Sequence, residues 1–375
     1  MNMKRYLIGG AVVIVALVAG YLVWTALNNG GDIAPEWIPV EQVLDVEGRS
    51  DISVNNNGTS GEDITSTPDT DTDTDTDTNT DTDTAPDYIT IRGRRYSTDL
   101  TTLRLEGLKL TDDEIEPLKY MVNLTELWLG YNQISDITPL ANLTSLTELR
   151  LSNNQISDIT PLANLTSLTS LSLHYNQISD ITPLANLTSL TSLSLDNNQI
   201  SDITPLANLT GLTDLGLNYN QISDITPLAN LTSLTILYID DNQIRDITLL
   251  ANLTSLTNLG LDGNQISDIT PLANLTSLTT LRLGENQISD ITPLASLTSL
   301  TWLGLGINQI SDIAPLANLT SLGGLNLSVN QIGDIATLAN LTELEWLGIY
   351  SNPITDWTPV EHVLEVNTDL TSLER

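Results

Sequence analysis

The chain contains no cysteine and no phenylalanine, and only two of its 375 residues are histidine. Without cysteine it has no disulfide bond, no thiolate nucleophile and no thiolate-ligated metal. We therefore expect a fold that is stabilised by its apolar core alone. We expect no cofactor and no metal site.

Positive charge is also scarce. Lys and Arg number 13 against 47 Asp and Glu, which gives a formal net charge of −34. A chain with this charge repels a polyanion such as DNA or RNA. Nucleic acid is therefore not expected as a partner.

What the sequence has in abundance is repetition. Around Asn154 the repeated unit is L-x-x-L-x-L-x-x-N-x-I followed by D-I-T-P-L-A-N-L. A fixed period of this length is typical of solenoid proteins. The asparagine returns in steps of 22 residues, at Asn132, Asn154, Asn176, Asn198, Asn220, Asn242, Asn264, Asn286, Asn308, Asn330 and Asn352.

This unit resembles a leucine-rich repeat, specifically the 22-residue kind found in bacterial internalin-type surface proteins. The resemblance extends from about Tyr88 to Arg375. It implies an α/β solenoid with a parallel concave sheet and short convex helical turns. It also implies that a protein receptor binds the concave surface. The chain departs from the family pattern because no immunoglobulin-like module and no wall-sorting segment follow the repeats.

Each residue type in the unit has a predicted structural role. Leu149 and Leu151 flank Arg150, so a short strand would point both leucines inward and the arginine outward. Asn154 is expected to turn inward and satisfy backbone groups at the bend. Thr160-Pro161 predicts an N-cap and first turn for a convex helix over 162–165. The predicted core of each repeat is Leu146, Leu149, Leu151, Ile156, Ile159, Leu162 and Leu165.

An aspartate also recurs in every repeat, from Asp136 through Asp158 to Asp356. Stacked carboxylates at a spacing of about 5 Å could form a metal ladder, but their like charges repel each other. The alternative is that each carboxylate accepts backbone N–H groups where the convex helix starts. We expect this second role.

The two ends of the repeat region differ from its middle. Residues 88–124 are expected to form an N-terminal cap with a first atypical repeat, and residues 125–352 the leucine-rich repeats. Residues 353–375 are expected to cap the C-terminal end. Terminal repeats of a solenoid are atypical because they cover its apolar ends.

The first 27 residues carry a membrane signal. Residues 1–5 include Lys4 and Arg5, and residues 6–27 are without charge. A helix of 22 residues spans roughly 33 Å, enough for a hydrocarbon core of about 30 Å. We predict a cytoplasmic head at 1–5, a single-pass transmembrane signal-anchor helix at 6–27, and extracytoplasmic repeats. A cleaved signal peptide ending near Ala19 is the alternative.

Between this segment and the repeats lie two stretches of different composition. Residues 28–65 are predicted to be a spacer, within which 36–46 is similar to 356–366 at the end of the solenoid. Residues 66–87 are mostly alternating Asp and Thr, which offers no apolar face. We predict a disordered linker there. Weak calcium binding and threonine glycosylation are alternatives for this linker.

Four positions in each repeat, on or beside the outward side of the strand, vary between repeats, whereas exposed convex positions such as Gln155 and Ser167 barely change. Since both surfaces are exposed to water, the contrast predicts a ligand-binding concave face. Its aromatic residues are typical of interfaces. The predicted binding residues are Glu126, Trp128, Tyr131, Glu148, Arg150, His174, Tyr175, Asp196, Asp214, Tyr219, Tyr238, Asp240, Asp262, Arg282, Trp302, Trp346 and Tyr350.

The sequence therefore predicts a membrane-anchored binding protein that recognises a protein or peptide. A glycan ligand and a purely structural envelope role are the alternatives. We predict no catalytic residue, because His174 has no evident acid partner and a flat face offers no deep site. The protein is not expected to be an enzyme.

Overall fold

The computed structural model describes residues 86–368 in full and residues 4–8, 11–18, 21–27 and 36–39 as backbone strands. The predicted spacer and linker, apart from 36–39 and 86–87, and the final residues 369–375 lie outside this description. The chain divides into two compact units, Met1–Asn79 and Thr80–Arg375. Each unit is described separately.

The first unit differs from the predicted transmembrane helix. Strands β1 (Lys4–Ile8), β2 (Ala11–Val18), β3 (Tyr21–Leu27) and β4 (Glu36–Pro39) form a four-stranded antiparallel sheet. The β-branched run over residues 12–15 favours a strand over a helix. Among the described residues, no helix is long and apolar enough to cross a bilayer.

The second unit opens with a hairpin of β5 (Tyr88–Ile91) and β6 (Arg94–Ser97). A sheet of 13 parallel strands follows, ordered as in the sequence. These strands are β7 (Thr102–Arg104), β8 (Glu126–Trp128), β9 (Glu148–Arg150), β10 (Ser170–Ser172), β11 (Ser192–Ser194), β12 (Asp214–Gly216), β13 (Ile236–Tyr238), β14 (Asn258–Gly260), β15 (Thr280–Arg282), β16 (Trp302–Gly304), β17 (Gly324–Asn326), β18 (Trp346–Gly348) and β19 (Glu365–Asn367).

One repeat, which we call a rung, contributes one strand of three residues from β8 to β18. Neighbouring strands pair residues exactly one repeat apart, as Leu149 pairs with Leu171 and Leu171 with Leu193. The central leucine of each strand is buried and its two neighbours face the other side of the sheet. The strict period therefore sets the register from β8 to β18, whereas the end strands β7 and β19 pair with residues 24 and 19 positions away.

Opposite the strands, each rung has a short helical turn of the 3₁₀ type, preceded at the N-terminal end by the α-helix α1 (Asp112–Ile115). The prediction of short helical turns is confirmed, but in the Asn154 rung the turn covers Thr160–Leu162 rather than 162–165. The 3₁₀ helices are Glu116–Tyr120, Thr138–Leu140, Thr160–Leu162, Thr182–Leu184, Thr204–Leu206, Thr226–Asn230, Thr248–Asn252, Thr270–Asn274, Thr292–Ser296, Ala314–Asn318, Ala336–Asn340 and Thr358–Val360.

The recurring aspartate starts each of these turns from Thr138–Leu140 to Thr358–Val360. Asp158 Oδ1 accepts the backbone N–H of Thr160 at 2.8 Å, and the bond recurs in the next rung between Asp180 and Thr182. Hydrogen bonds from the threonine side chain, and then from its backbone N–H, lower the pKa of both carboxyl groups. The predicted capping role of the aspartate is confirmed, whereas Thr160 is the first helical residue and not the N-cap.

The recurring asparagine joins neighbouring rungs. Asn154 Oδ1 accepts the N–H of Ile134 at 3.0 Å, and its Nδ2 donates to the carbonyls of Leu129 and Leu151, each at 3.0 Å. Equivalent bonds recur along the array, for example at Asn242. Because the bend leaves these backbone groups without strand partners, the asparagine satisfies them, as the sequence predicts.

Between the sheet and the turns lies one continuous apolar core. The seven predicted core positions are at most 1% exposed. The hairpin residues Ile89 and Ile91 join this core at one end, and Val360 and Val363 join it at the other. Leucine and isoleucine therefore make up nearly all of the interior, with Met121 and the two valines near its ends.

Candidate functional site

The outward side of the sheet, which we call the sheet face, has four positions per rung. Row one begins at Glu126, row two at Trp128, row three at Gly130 and row four at Tyr131, and each row continues in steps of 22 residues. Rows one and two alternate with buried leucines, so their side chains lie on the side away from the core. Rows three and four follow the strand.

A first cluster surrounds Trp128. The Cζ atoms of Arg104 and Arg150, on the two adjacent strands, lie 3.6 Å and 4.0 Å from a ring centroid of the indole. Arg150 Nε donates to Glu148 Oε1 at 2.7 Å. Two guanidinium groups thus enclose one indole through cation–π contacts. The buried indole Nε1 has no hydrogen-bond partner in the described part of the chain.

Glu106 belongs to the same cluster, although it is not among the predicted binding residues. A Cβ atom placed on Gly130 would lie 3.3 Å from its Oε1, so the carboxyl group lies against that glycine. Burial raises the pKa of Glu106, and the charges of Arg150 and Arg104 oppose this effect. The cluster therefore combines two cations, an indole and partly buried carboxyl groups.

The second cluster surrounds His174. Its Nδ1 lies 3.1 Å, 3.0 Å and 3.2 Å from the Oγ atoms of Ser152, Ser172 and Ser194. Burial lowers the pKa of His174, and the charge of Asp196 opposes this only in part. Neutral imidazole is therefore favoured at neutral pH.

This cluster does not have the arrangement of a hydrolytic triad. Asp196 Oδ2 accepts a hydrogen bond from Ser194 at 2.7 Å, and its Oδ1 accepts the N–H of Asn218 at 2.9 Å. The carboxylate is thus bonded to a serine and to backbone, whereas a triad needs it on the imidazole. The arrangement suits hydrogen bonding to a ligand better than nucleophilic attack.

The asparagine bonds described above form one series of hydrogen bonds from rung to rung, which we call the asparagine ladder. Row three forms a second such series along the sheet face, which we call the row-three ladder. The side chains of Asp196, Asn218, Asp240 and Asp262 each accept the backbone N–H of the next residue in the row. Glycines in row two leave the room that this needs, since a Cβ atom on Gly260 would lie 2.6 Å from Asp240 Oδ1. The carboxylates therefore lie flat against the following rung.

As a result, two predicted ligand-binding acids are less accessible than the sequence suggests. Asp240 is only 6% exposed. Burial raises its pKa to about 7, with Arg282 opposing and Asp262 adding to the shift. Burial also raises the pKa of Asp262. Arg282 Nη1 lies 3.6 Å from Asp240 Oδ2, and its Cζ lies 4.9 Å from the Tyr238 ring centroid.

The third cluster is a pair of tryptophans in row one. Trp302 and Trp346 lie two strands apart with Gly324 between them in register. Their ring centroids are 5.3 Å apart and their planes differ by 26°. A Cβ atom on Gly324 would lie 2.2 Å from Trp302 Cε3. The indole therefore lies directly over the glycine, and this allows the two rings to stack.

Beside the tryptophan pair is a cavity of about 200 Å³. Its backbone floor includes three glycines, and its walls carry acidic, basic, amide, hydroxyl and aromatic groups. The lining residues are Asp262, Arg282, Gly284, Glu285, Trp302, Gly304, Gly306, Ile307, Asn326, Ser328 and Tyr350.

Row four carries the exposed tyrosines. Tyr131, Tyr175 and Tyr219 are 54%, 55% and 56% exposed. All three adopt positive φ, between +52° and +57°, which is uncommon for residues other than glycine. They recur at every second rung, so their rings form a row along one side of the sheet face.

The structure thus brings many of the predicted residues into three groups, around Trp128, around His174 and along Asp240 to Trp346. Asp214 joins none of them, because its carboxylate bonds the neighbouring Thr213 hydroxyl at 2.6 Å. Sequence reasoning missed Glu106, and it placed Ser152 and Ser172 on the outward side of the strand without including them among the binding residues. One signal in the sequence could have revealed the row-three ladder. It is a polar residue in row three that is followed, one repeat later, by glycine or by another polar residue.

The fold and this face define the class: a leucine-rich-repeat solenoid with a polar and aromatic sheet face. The family model for leucine-rich repeats (2 copies) matches residues 122–164, 166–208, 210–252, 254–296 and 298–340. The crystal structure of the internalin InlF from Listeria monocytogenes is 42% identical, with a TM-score of 0.70. That match covers 74% of this chain and 90% of the internalin. The chain belongs to the leucine-rich-repeat proteins of internalin type.

More distant structures share the fold. The leucine-rich-repeat protein LIC12759 of Leptospira interrogans is 24% identical, with a TM-score of 0.57, over 74% of this chain and 79% of that one. The ectodomain of an Arabidopsis thaliana membrane receptor kinase, solved in complex with Casparian strip integrity factor 2, is 24% identical. Its TM-score is 0.59, over 72% of this chain and 38% of that one. No curated protein matches the sequence.

Proposed function

We propose that the protein binds a protein or peptide ligand through the sheet face. The observation that carries this proposal is the difference between the two exposed surfaces. Row positions change from rung to rung and form clusters of rings and charges, whereas convex positions such as Gln155 and Ser157 repeat almost without change. Aromatic and arginine side chains in partly buried clusters are typical anchors of interfaces.

Membership of the internalin type supports a binding role, and the geometry around His174 gives no support for catalysis. The mixed charges and rings of the sheet face also suit polypeptide recognition, in which a few anchors supply most of the binding energy. A glycan ligand and a purely structural role are the competing outcomes of the test.

The test selects binders from a random-sequence peptide display library on the immobilised full-length chain. The affinity of each selected peptide is then measured for the wild type and for Trp128→Ala, Tyr175→Ala and Trp302→Ala. Loss of an interface anchor costs about 2 kcal/mol, so we expect one or more variants to bind roughly 30-fold more weakly. Gln155→Ala on the convex side is the control.

Equal binding by all four variants would place the peptides elsewhere and contradict the proposal. Failure to select any peptide, together with binding of the same protein on a glycan array, would favour a sugar ligand instead. Absence of both would favour the structural role. The melting temperature of each variant is measured first, so that a loss of folding is not mistaken for a loss of contact.

We further propose that the repeats act outside the cytoplasm and that residues 6–27 attach the chain to the membrane. Two cations followed by 22 uncharged residues support this location. Membrane fractionation and protease treatment of intact cells test it: the repeats should be cleaved from outside and the chain should pellet with membranes. A soluble cytoplasmic chain protected from protease would refute it, and intact-mass measurement distinguishes anchor from cleaved signal.

A further inference from the structure

The cavity beside the stacked tryptophans combines negative charge with aromatic surface. We propose that it binds the guanidinium group of an arginine side chain in the ligand. This inference rests on the proposed function and names the chemistry of one anchor point. A cavity of about 200 Å³ is smaller than typical small-molecule sites of roughly 300–1,000 Å³, so it suits a single side chain.

Charge supports this choice. Asp262 and Glu285 line the cavity, and Glu285 forms no ion pair within residues 86–368. Arg282 also lines the cavity; its guanidinium contacts Asp240 and Tyr238, and its charge acts on Asp262 as well. Glu285 is therefore the carboxylate that we expect to pair with a ligand cation. The chain as a whole carries a net charge of −34, which attracts a cationic partner.

The first rungs of the same sheet show how such a group is held. There, the guanidinium groups of Arg104 and Arg150 contact the Trp128 ring, and Glu148 accepts a hydrogen bond from Arg150. The cavity offers the same kinds of partner, the indole ring of Trp302 and the carboxylate of Glu285. In the described residues, however, no Lys or Arg stacks on Trp302 or Trp346, which stack on each other.

The glycines explain why the cation would come from another molecule. Arg104 and Arg150 flank Trp128 across the sheet, whereas Thr280 and Gly324 flank Trp302. Gly304, which lines the cavity, follows Trp302 on the same strand. Without side chains at the glycine positions, the backbone floor can be approached closely. A planar guanidinium can stack on an indole and bond a carboxylate at the same time, which a lysine ammonium does less well.

The test uses three capped pentapeptides, acetyl-Gly-Gly-X-Gly-Gly-amide, in which X is arginine, lysine or the neutral isostere citrulline. The full-length chain is labelled with ¹⁵N-tryptophan, and indole N–H signals are followed during titration. We expect the arginine peptide to shift the signals of Trp302 and Trp346 saturably and leave that of Trp128 unchanged. The citrulline peptide should bind about tenfold more weakly.

Two charge-matched variants separate a local contact from general attraction. Glu285→Gln should weaken arginine binding about tenfold, whereas Glu343→Gln, an exposed carboxylate on the convex side, should leave it unchanged. Equal binding of arginine and citrulline peptides, or equal effects of the two variants, would overturn the proposal. Equal binding of the lysine peptide would overturn the guanidinium assignment, and no shift at millimolar arginine peptide would overturn the site.

These outcomes are distinct from those of the general binding test. If library peptides depend on Trp302 but show no preference for arginine over citrulline, the sheet face binds peptides and the cavity assignment is wrong. If the arginine peptide binds here but no library peptide depends on the sheet face, the cavity chemistry stands and the general proposal fails.

Discussion

At the scale of single residues, the recurring asparagine makes the bonds that join one rung to the next. Asn242 is 8% exposed, accepts the N–H of Ile222 at 2.9 Å and donates to the carbonyls of Leu217 and Asp240, each at 3.0 Å. No apolar residue can replace these bonds. The position is therefore more sensitive to substitution than its polar character suggests.

We expect Asn242→Ala to lower the free energy of unfolding by about 3 kcal/mol, because each buried group left without a partner costs about 1–3 kcal/mol. Urea denaturation measures the change. Gln243→Ala is the control: its side chain is exposed, so its effect should stay within about 0.5 kcal/mol. Similar effects for both variants would contradict the structural role of the asparagine bonds.

Asp240 gives the sheet face a pH dependence. Its pKa in the folded protein is about 7, raised from 3.8 mainly by burial. Since the folded state favours the protonated form, the contribution of Asp240 to stability is complete below about pH 4 and is lost as the pH rises through 7. One pKa unit corresponds to about 1.4 kcal/mol, so the free energy of unfolding lost over this pH range is at most about 4 kcal/mol.

Asp240→Asn mimics the protonated state and tests this dependence. The free energy of unfolding of the wild type, minus that of the variant, should fall between pH 4 and pH 8. For Asp202→Asn the same difference should stay nearly constant over this range and fall only below about pH 4, because hydrogen bonds from the side chain and backbone of Thr204 lower the pKa of Asp202. A difference for Asp240→Asn that is constant with pH would contradict the assignment.

At the scale of elements, the tryptophan pair depends on strand β17. A Cβ atom on Gly324 would lie 2.2 Å and 2.3 Å from two atoms of the Trp302 ring. Gly324→Ala should therefore displace the indole and remove the stacking, which near-ultraviolet circular dichroism detects. Peptides that depend on Trp302 should bind about tenfold more weakly to this variant.

The adjacent Gly323 is a matched control for this change. A Cβ atom there would meet only backbone oxygens, at 3.8 Å and 4.0 Å, which is ordinary van der Waals contact. Gly323→Ala should leave both the spectrum and the binding unchanged. If the two alanine variants behave alike, the glycine does not set the position of the indole.

The contrast between the two ladders shows what the sequence can reveal. Asn154 and Asp158 recur in every rung, and their roles follow from chain direction and local turn chemistry. The sequence predicts Asp240 and Asp262 as exposed ligand-binding residues, because a repeat period shows on which face a residue lies but not how deeply it is buried. Their burial depends on Gly260 and Gly284, which are one repeat away and whose effect lies in the absence of a side chain.

Residues 6–27 show a second limit of prediction from the sequence, namely the choice between helix and strand. Residues 6–27 are long and apolar enough for a helix, yet the structure has strands β1, β2 and β3 there. Hydropathy measures affinity for an apolar environment and does not choose between backbone conformations. The β-branched residues of the run favour the strand.

At the scale of the whole molecule, charge is strongly unbalanced. With 47 acidic and 13 basic residues, self-repulsion opposes the compact state. We expect the melting temperature to rise as NaCl increases from about 10 mM to about 150 mM, where the Debye length falls to about 8 Å. Differential scanning calorimetry measures the rise.

Calcium chloride at matched ionic strength is the comparison. If the recurring aspartates only accept backbone N–H groups, calcium should raise the melting temperature little more than sodium does. A much larger rise with calcium would mean that the aspartate column binds cations, contrary to the capping role that its hydrogen bonds indicate.

The short reach of the contacts within the solenoid has a consequence for how such a protein changes. From Asn154 onward the asparagine bonds join residues 2, 3, 20 or 25 positions apart, and the row-three ladder joins residues 22 apart, so each rung is bonded mainly to its two neighbours. Recombination that inserts, deletes or exchanges whole 22-residue units keeps the asparagine bonds, because every such unit carries the asparagine. Gene-level shuffling can therefore move an aromatic or charged cluster along the array, and alter ligand preference, without a new folding problem to solve.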